Sequence, residues 1–261
     1  MKSILLVSIL VLMLFITKTN AQTEEVFYYP KLSQMEMSDA KTNLKRVLET
    51  MSSRNSKNIY NSRPEIVSVF DDRFEITYKK PKNTVVFYFS DLPKYDIEVV
   101  KITTGTDNYE FLVRLGELTF SVYNSSNGRE LPDYLFFFQH RINVQRYDSL
   151  IAIFKPVAAQ YCAINLKPAV SEEQRKYIVQ ANVLNQQKMY NKAIEIYNKA
   201  IEIDQTAYPA AYSNVALLSA LLHKFDAAIY YMKKYLMLEP AASDARGAQD
   251  KIYEWEILMQ K

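Results

Sequence analysis

The chain has 261 residues, with 32 basic and 29 acidic side chains, 13% aromatic residues and a single cysteine, Cys162. A formal charge of +3 supplies none of the clustered positive field that phosphate backbones demand, so nucleic acid and an anionic membrane face are poor candidates for partners. One cysteine forms no intramolecular disulfide, which leaves the fold to rest on its core, and within the apolar run AAQYCAIN its thiol is expected to be buried and inert.

The first residues, MKSILLVSILVLMLFITKTNAQ, place one cation at Lys2, thirteen mostly apolar residues from Ile4 to Ile16 and a small residue at Ala21. This is the layout of a secretory signal peptide over residues 1–21. Thirteen residues fall short of the roughly 20 that a membrane-crossing helix needs, and the junction has no cysteine to carry a lipid. The expectation is an exported protein of the periplasm or cell envelope, or a secreted one, with no transmembrane segment after processing. The remaining 240 residues (261 less 21) carry 30 basic side chains (32 less Lys2 and Lys18) against 29 acidic. That length exceeds a usual single domain of about 100–150 residues. Composition shifts accordingly, from Val, Ile, Phe, Tyr and Thr over 64–123 to Ala, Leu, Lys, Gln and Tyr from Ser171 onward.

An α+β sheet domain is predicted over 22–130. A helix from Asp39 to Met51, capped by Ser38, places Leu44, Leu48 and Met51 on one face. The period then changes to two: RFEITY (73–78) and ELTFSVY (117–123) alternate apolar with polar residues, and TVVFYF (84–89), DIEVVKI (96–102) and YEFLVRL (109–115) lie between them. The breaks are KKPK, SDLPK and TGTDN, and Asp71 with Asp72 forms a two-residue turn. Such spacing describes an antiparallel meander. With the helical stretch from near Leu131, it resembles in architecture a pleckstrin-homology-type sheet closed by a helix, over roughly residues 38–145. The resemblance implies a binding or spacing role, and lipid binding is not carried over, because KKPK and NSRP are short and read as solvated turn charges. Residues 131–170 are expected to form a divergent helical hairpin, broken at Pro156, and a linker, NLKPAVSEE.

From 171 onward the pattern repeats. YNKAIEI is written twice in a row from Tyr190, yet two heptads are too few for a coiled coil. Residues 190–205 (YNKAIEIYNKAIEIDQ) instead align with 225–240 (FDAAIYYMKKYLMLEP) at a shift of 35, a helical-repeat period. Helices are predicted near 172–187, 190–204, 207–222 and 225–238, the first opened by a Ser171–Gln174 capping box and the last stopped by Pro240. A further helix, 243–259, places Ile252, Trp255 and Met259 at helical spacing to cap the array. The segment resembles two tetratricopeptide repeats, 171–205 and 206–240. The first matches at Tyr177, Ala181, Tyr190, Ala193, Tyr197 and Ala200, and the second at Tyr212, Ala216, Phe225, Ala228 and Pro240, with departures at Met232 and Tyr235. The expected fold class is therefore α+β: an N-terminal antiparallel sheet domain with flanking helices, then an all-α tetratricopeptide-type array with a capping helix.

Catalysis finds little support. The two histidines, His140 and His223, have no ligand at metal spacing, the four glycines are scattered, and no G-x-S-x-G nucleophile turn occurs. No cofactor and no metal are expected. The resemblance implies instead a non-catalytic scaffold that binds a protein or peptide through the concave face of the array. That face is assigned to Arg175, Ile178, Asn182, Asn185 and Gln186 in the first repeat and to Ser213, Asn214, Leu217 and Leu221 in the second. In clamp-type members of the family, Asn at the places of Asn182 and Asn214 pairs with peptide backbone or a terminal carboxylate. Here Ile178 stands where those members carry a cation. The alternative, from another class, is a cell-envelope hydrolase or carbohydrate-binding protein whose sheet offers Tyr60, Tyr78, Tyr88, Tyr95 and Tyr109 for stacking. A sheet whose aromatic face is covered by helices would remove it.

Overall fold

The computed structural model describes residues 23–55, 58–79, 82–103, 109–116, 118–121 and 127–260. The expected signal segment, the TGTDN turn and the side chains of Tyr60 and Tyr109 lie outside them. The sheet half comprises β1 (Thr23–Tyr28), α1 (Met37–Thr50), β2 (Ser52–Asn55), β3 (Asn58–Ser62), β4 (Ile66–Val69), β5 (Arg73–Lys79), β6 (Lys82–Tyr88), a 3₁₀ turn (Phe89–Lys94), β7 (Val99–Thr103), β8 (Tyr109–Leu115) and β9 (Leu118–Ser121). The helical half follows as α2 (Asn127–Ala163), α3 (Glu172–Gln186), α4 (Tyr190–Ile203), α5 (Ala210–Leu221), α6 (Phe225–Leu238) and α7 (Ala245–Gln260). This is an α+β layout, antiparallel sheet first and helices after. Among the described residues no helix is long and apolar enough to cross a membrane.

The strands form two sheets rather than the single meander expected. One has the order β1-β7-β8-β9-β2-β3 and the other β4-β5-β6, and every pairing is antiparallel. The chain changes sheets at SDLPK. There Phe89 and Leu92 are buried, and the Phe89 ring stacks on Phe138 of α2 at 4.1 Å, which coils the segment into a 3₁₀ turn instead of a hairpin. The alternation predicted for β5 and β9 is present: Phe74, Ile76 and Tyr78, and Leu118 and Phe120, are buried. Asp71 and Asp72 make the β4–β5 turn, closed by Phe70 N donating to Arg73 O at 2.8 Å. Strands β1 to β4 were not foreseen. Ser38 is not the cap of α1; the helix begins two residues earlier than expected, at Met37 after Glu36, and the Ser38 carbonyl accepts from Thr42 Oγ1 at 2.9 Å inside it.

Residues 131–163 do not form a hairpin. They belong to one helix of 37 residues, α2, with Pro132 and Pro156 inside it, spanning about 55 Å at 1.5 Å per residue. Pro156 withholds one helical hydrogen bond, but Phe154, Ala158 and Tyr161 around it are each 5% exposed or less, so packing holds the helix through the defect. α2 joins the two cores. Leu131, Leu135, Phe137 and Phe138 sit in the first, with both sheets and α1, while Phe136, Phe154, Ala158 and Tyr161 sit in the second, with α3 to α7.

The helix pairs α3–α4 and α5–α6 recur at the 35-residue shift down to the backbone of their turns. Lys188 and His223, 35 apart, are the two non-glycine residues with positive φ among those described (59° and 58°). Lys188 N donates to Asn185 O and Met189 N to Leu184 O, while His223 N donates to Ala220 O and Lys224 N to Ser219 O, all at 2.9–3.0 Å. Each is a left-handed C-terminal cap of the kind more usual with glycine. At the start of α3 half of the capping box forms: Gln174 N donates to Ser171 Oγ at 3.2 Å. The Gln174 amide does not return to Ser171 but crosses to the end of α4, donating to the carbonyls of Ala200 and Asp204 at 3.0 Å each.

Candidate functional site

Small residues let the helices of each pair approach. Ala181, Ala193 and Ala200 in the first pair, and Ala216 and Ala228 in the second, are fully buried, and Tyr197 and Tyr212 fill the grooves between turns at 1% exposure or less. Tyr177, Tyr190 and Phe225 are half-buried at the margins, and Pro240 is exposed in the turn beyond α6. Met232 and Tyr235, the departures from the repeat pattern, are buried at 2% and 7%. Ile252, Trp255 and Met259 of α7 are buried as a capping helix requires.

This pairing leaves one face of α3 and α5 open. Arg175, Asn182 and Gln186 are exposed on α3, Leu217 and Leu221 on α5, and Asn185, Ser213 and Asn214 are half-buried. Ile178 is the exception. It is 7% exposed and shares the buried stripe Gln174–Ile178–Ala181 at i, i+4 and i+7, so it packs in the seam and does not line the face. Val179 and Val183, which the spacing argument passed over, take its place at 53% and 46% exposure.

The two asparagines meet through Tyr197. Its hydroxyl donates to Asn182 Oδ1 and accepts from Asn214 Nδ2 at 3.2 Å. Burial first, then Tyr208, raises the Tyr197 pKa, against the lowering effect of the Asn214 bond, so the hydroxyl keeps its proton as a donor. Nδ2 of Asn182 and Oδ1 of Asn214 are left as one donor and one acceptor, flanked by Val179, Val183, Leu217 and Leu221. No sequence spacing reveals that a tyrosine of α4 bridges two asparagines 32 positions apart.

The opposite face of α6 is covered by α2. Asp226 Oδ1 lies 2.6 Å from His140 Nδ1, and Asp226 Oδ2 accepts from Asn143 Nδ2 at 3.0 Å. Tyr230 stacks on Tyr147 with centroids 4.5 Å apart, and burial pushes the hydroxyl pKa of both up to about 12. Lys234 Nζ sits 4.0 Å from the Phe154 ring centroid, 4.6 Å from Tyr212 and 5.6 Å from Tyr230, and burial lowers its pKa to about 8. Tyr161 donates to Glu239 Oε1 at 2.5 Å. Cys162, expected to be buried, is exposed, with Sγ 3.5 Å from the carbonyls of Met237 and Leu238; it falls on the solvent side of α2, one position past the buried Tyr161.

Beyond α2, which enters the sheet core, the sheet half meets the helices where Tyr29 stacks on His223 at 3.8 Å, Lys224 pairs with Asp96 at 2.9 Å, and Leu32 N donates to Met259 O at 2.7 Å. Of the tyrosines considered for ligand stacking, Tyr78 is buried in the sheet core and Tyr95 packs against it, while Tyr88 is exposed. Phe74, Tyr78 and Phe87 of β5 and β6 are buried in one core with residues of α1 and α2. Among the described residues no group of three or more His, Cys, Asp and Glu is placed to hold a metal ion. No family model matches the chain, and no curated protein and no solved structure matches it.

Proposed function

We propose that the protein is a non-catalytic exported adaptor, and that its α3/α5 face, a tetratricopeptide-type surface, holds an extended segment of a partner protein. The observation that carries this reading is the Asn182–Tyr197–Asn214 bridge. It fixes two amides side by side, one offering a donor and one an acceptor, between exposed Val179, Val183, Leu217 and Leu221. An extended peptide backbone presents the complementary acceptor and donor, and its side chains reach the apolar flanks. With Ile178 withdrawn into the seam and Arg175 beside Glu172 at 3.5 Å, the face has no dedicated counter-ion for a terminal carboxylate. The reading therefore favours an internal segment.

The test is to change Asn182 and Asn214 together to Ala and measure capture of partners from envelope extract. A net hydrogen bond is worth about 1 kcal/mol, so the double variant should bind on the order of tenfold more weakly, with its melting curve shifted little. Lys192 and Lys199, both exposed on α4, serve as the control pair and should tolerate Ala. If the lysine pair matters and the asparagine pair does not, the partner binds elsewhere.

A further inference from the structure

Between the sheet half and the helical half lies a cleft of about 660 Å³, within the range of about 300–1,000 Å³ typical of small-ligand sites, and placed at a domain boundary as such sites often are. One side is the segment Lys94–Glu98 that leaves the 3₁₀ turn. The facing side is the α5–α6 turn around His223 and Lys224, and α2 closes the third with Gln139, Asn143 and Tyr147.

The cleft is lined by three lysines, Lys31, Lys94 and Lys224, and three carboxylates, Asp96, Glu98 and Asp226, and Lys31 is exposed. Lys94 is engaged by Asp91 at 2.5 Å and Lys224 by Asp96 at 2.9 Å. Glu98, half-buried in the wall, has no hydrogen-bonding or ion-pair partner among the described residues. Two cations act on it through space alone: Lys224, held by Asp96, and Arg114, which stands outside the cleft lining and is held by Glu24 at 2.5 Å. Asp226 is held by His140 and Asn143, so Glu98 is the lining carboxylate left without a partner among the described residues. Burial, then the neighbouring Asp96, raises the Glu98 pKa, as expected for a carboxylate taken from water without a counterpart. Tyr29, Tyr95 and Tyr147 line the same cleft; His223 covers one face of Tyr29 and Tyr230 one face of Tyr147, and open ring faces attract cations.

We propose that this cleft binds an organic cation, an ammonium or guanidinium group on an aliphatic stem, with Glu98 as its counter-ion and the tyrosine rings as its walls. The site is separate from the α3/α5 face and does not depend on it. The cation has two sources, a small free amine or guanidine and a lysine or arginine side chain of a protein.

Titration calorimetry of the full chain with butylguanidinium, and with 1-butanol as the neutral counterpart of the stem, is the direct test. Saturable binding of the cation and none of the alcohol is expected. Glu98→Gln should weaken that binding about tenfold or more, because a charge-assisted pair is replaced by a neutral contact. Its melting temperature should not fall, since Glu98 has no partner to lose and its buried charge is unfavourable, and Glu195→Gln on the exposed side of α4 should bind as the parent does. A capped arginine tripeptide separates the sources: tighter binding than butylguanidinium assigns the cleft to a protein side chain, and equal or weaker binding assigns it to a small molecule. No saturable binding of either cation, or equal binding by the Glu98→Gln variant, overturns the proposal.

Discussion

α4 and α6 correspond position for position at a shift of 35 residues, and their inward faces behave alike: Ala193, Tyr197 and Ala200 are buried in one, and Ala228, Met232 and Tyr235 in the other. Their outward stripes do not. Asn191, Glu195 and Lys199 of α4 are exposed, whereas the corresponding Asp226, Tyr230 and Lys234 of α6 lie under α2, each 9% exposed or less. The inward face answers to the partner helix inside the pair, so the repeat dictates it. The outward face is free of that constraint, and here one copy has been recruited to dock a helix from elsewhere in the chain. The replacement of Glu195 by Tyr230 is the side-chain change that makes this docking apolar.

The largest effect should come from removing residues 243–261. α7 stands against α6 as α5 stands against α4, and its Ile252, Trp255 and Met259 close the end of the array. Losing three buried side chains, each worth about 1.5–3 kcal/mol, takes away an amount comparable to the whole stability of a typical domain, about 5–15 kcal/mol. Aggregation, or melting of the helical half before the sheet half, is expected in light scattering and circular dichroism. A monomeric truncation with an unchanged melting curve would show that α7 contributes nothing as a cap.

A paired substitution sharpens the comparison between the two stripes. Tyr230→Ala should cost about 3 kcal/mol or more, as other large aromatic truncations in cores do, because it empties the stack on Tyr147. Glu195→Ala, at the corresponding exposed place, should stay within about 0.5 kcal/mol. Urea unfolding of both variants measures the difference, and equal costs would mean that α2 does not dock on α6 in solution.

The inward faces were legible because the 35-residue period sets apolar residues over apolar ones: Ala193 over Ala228, Ile194 over Ile229 and Ile201 over Leu236 keep their character, while Tyr197 over Met232 and Ala200 over Tyr235 change type and stay buried. The four helices α3 to α6 were placed by the repeat and α7 by its own helical spacing, all to within about three residues at their ends. The outward face of α6 was not legible, since nothing in a period marks a contact with residues 83 to 86 positions upstream, as in Asn143 and His140 against Asp226. The same limit explains α2. Pro156 argues locally for a break, and only burial of Phe154, Ala158 and Tyr161 on both sides of it keeps the helix whole. It also explains the sheets: alternation located β5 and β9 and the turn residues between them bracketed β6, β7 and β8, but the change of sheet depends on Phe89 meeting Phe138 across 49 residues. Of the proposed binding face, the open positions on α3 and α5 followed from spacing, except for Ile178, which packs in the seam, and for Val179 and Val183, which the spacing passed over. The bridge through Tyr197 is a tertiary fact.

The smallest effect separates the two corresponding lysines, Lys199 and Lys234. Lys199 is exposed, whereas Lys234 is 7% exposed, with three aromatic rings about it and its pKa lowered by burial to about 8 from the ordinary 10.5. A lysine whose pKa is lower in the folded chain than in the unfolded one binds fewer protons when folded, so stability rises with pH between the two values. Charging the buried amine is unfavourable below about pH 8, and that penalty fades as pH climbs from about 8 to 10.5. The ring faces offset part of it, so Lys234→Met should change stability at pH 7 by no more than about 1 kcal/mol in the stabilising direction, as other apolar replacements of buried charges do. The informative quantity is the difference between the parent and this variant, because tyrosines that ionise near pH 10 contribute equally to both. That difference should shrink, or reverse, between pH 7 and pH 10 in thermal melts, and Lys199→Met should show no such trend. Parallel curves for the parent and the Lys234 variant would place Lys234 in water, and the docking of α2 against the outward stripe of α6 would lose its central contact.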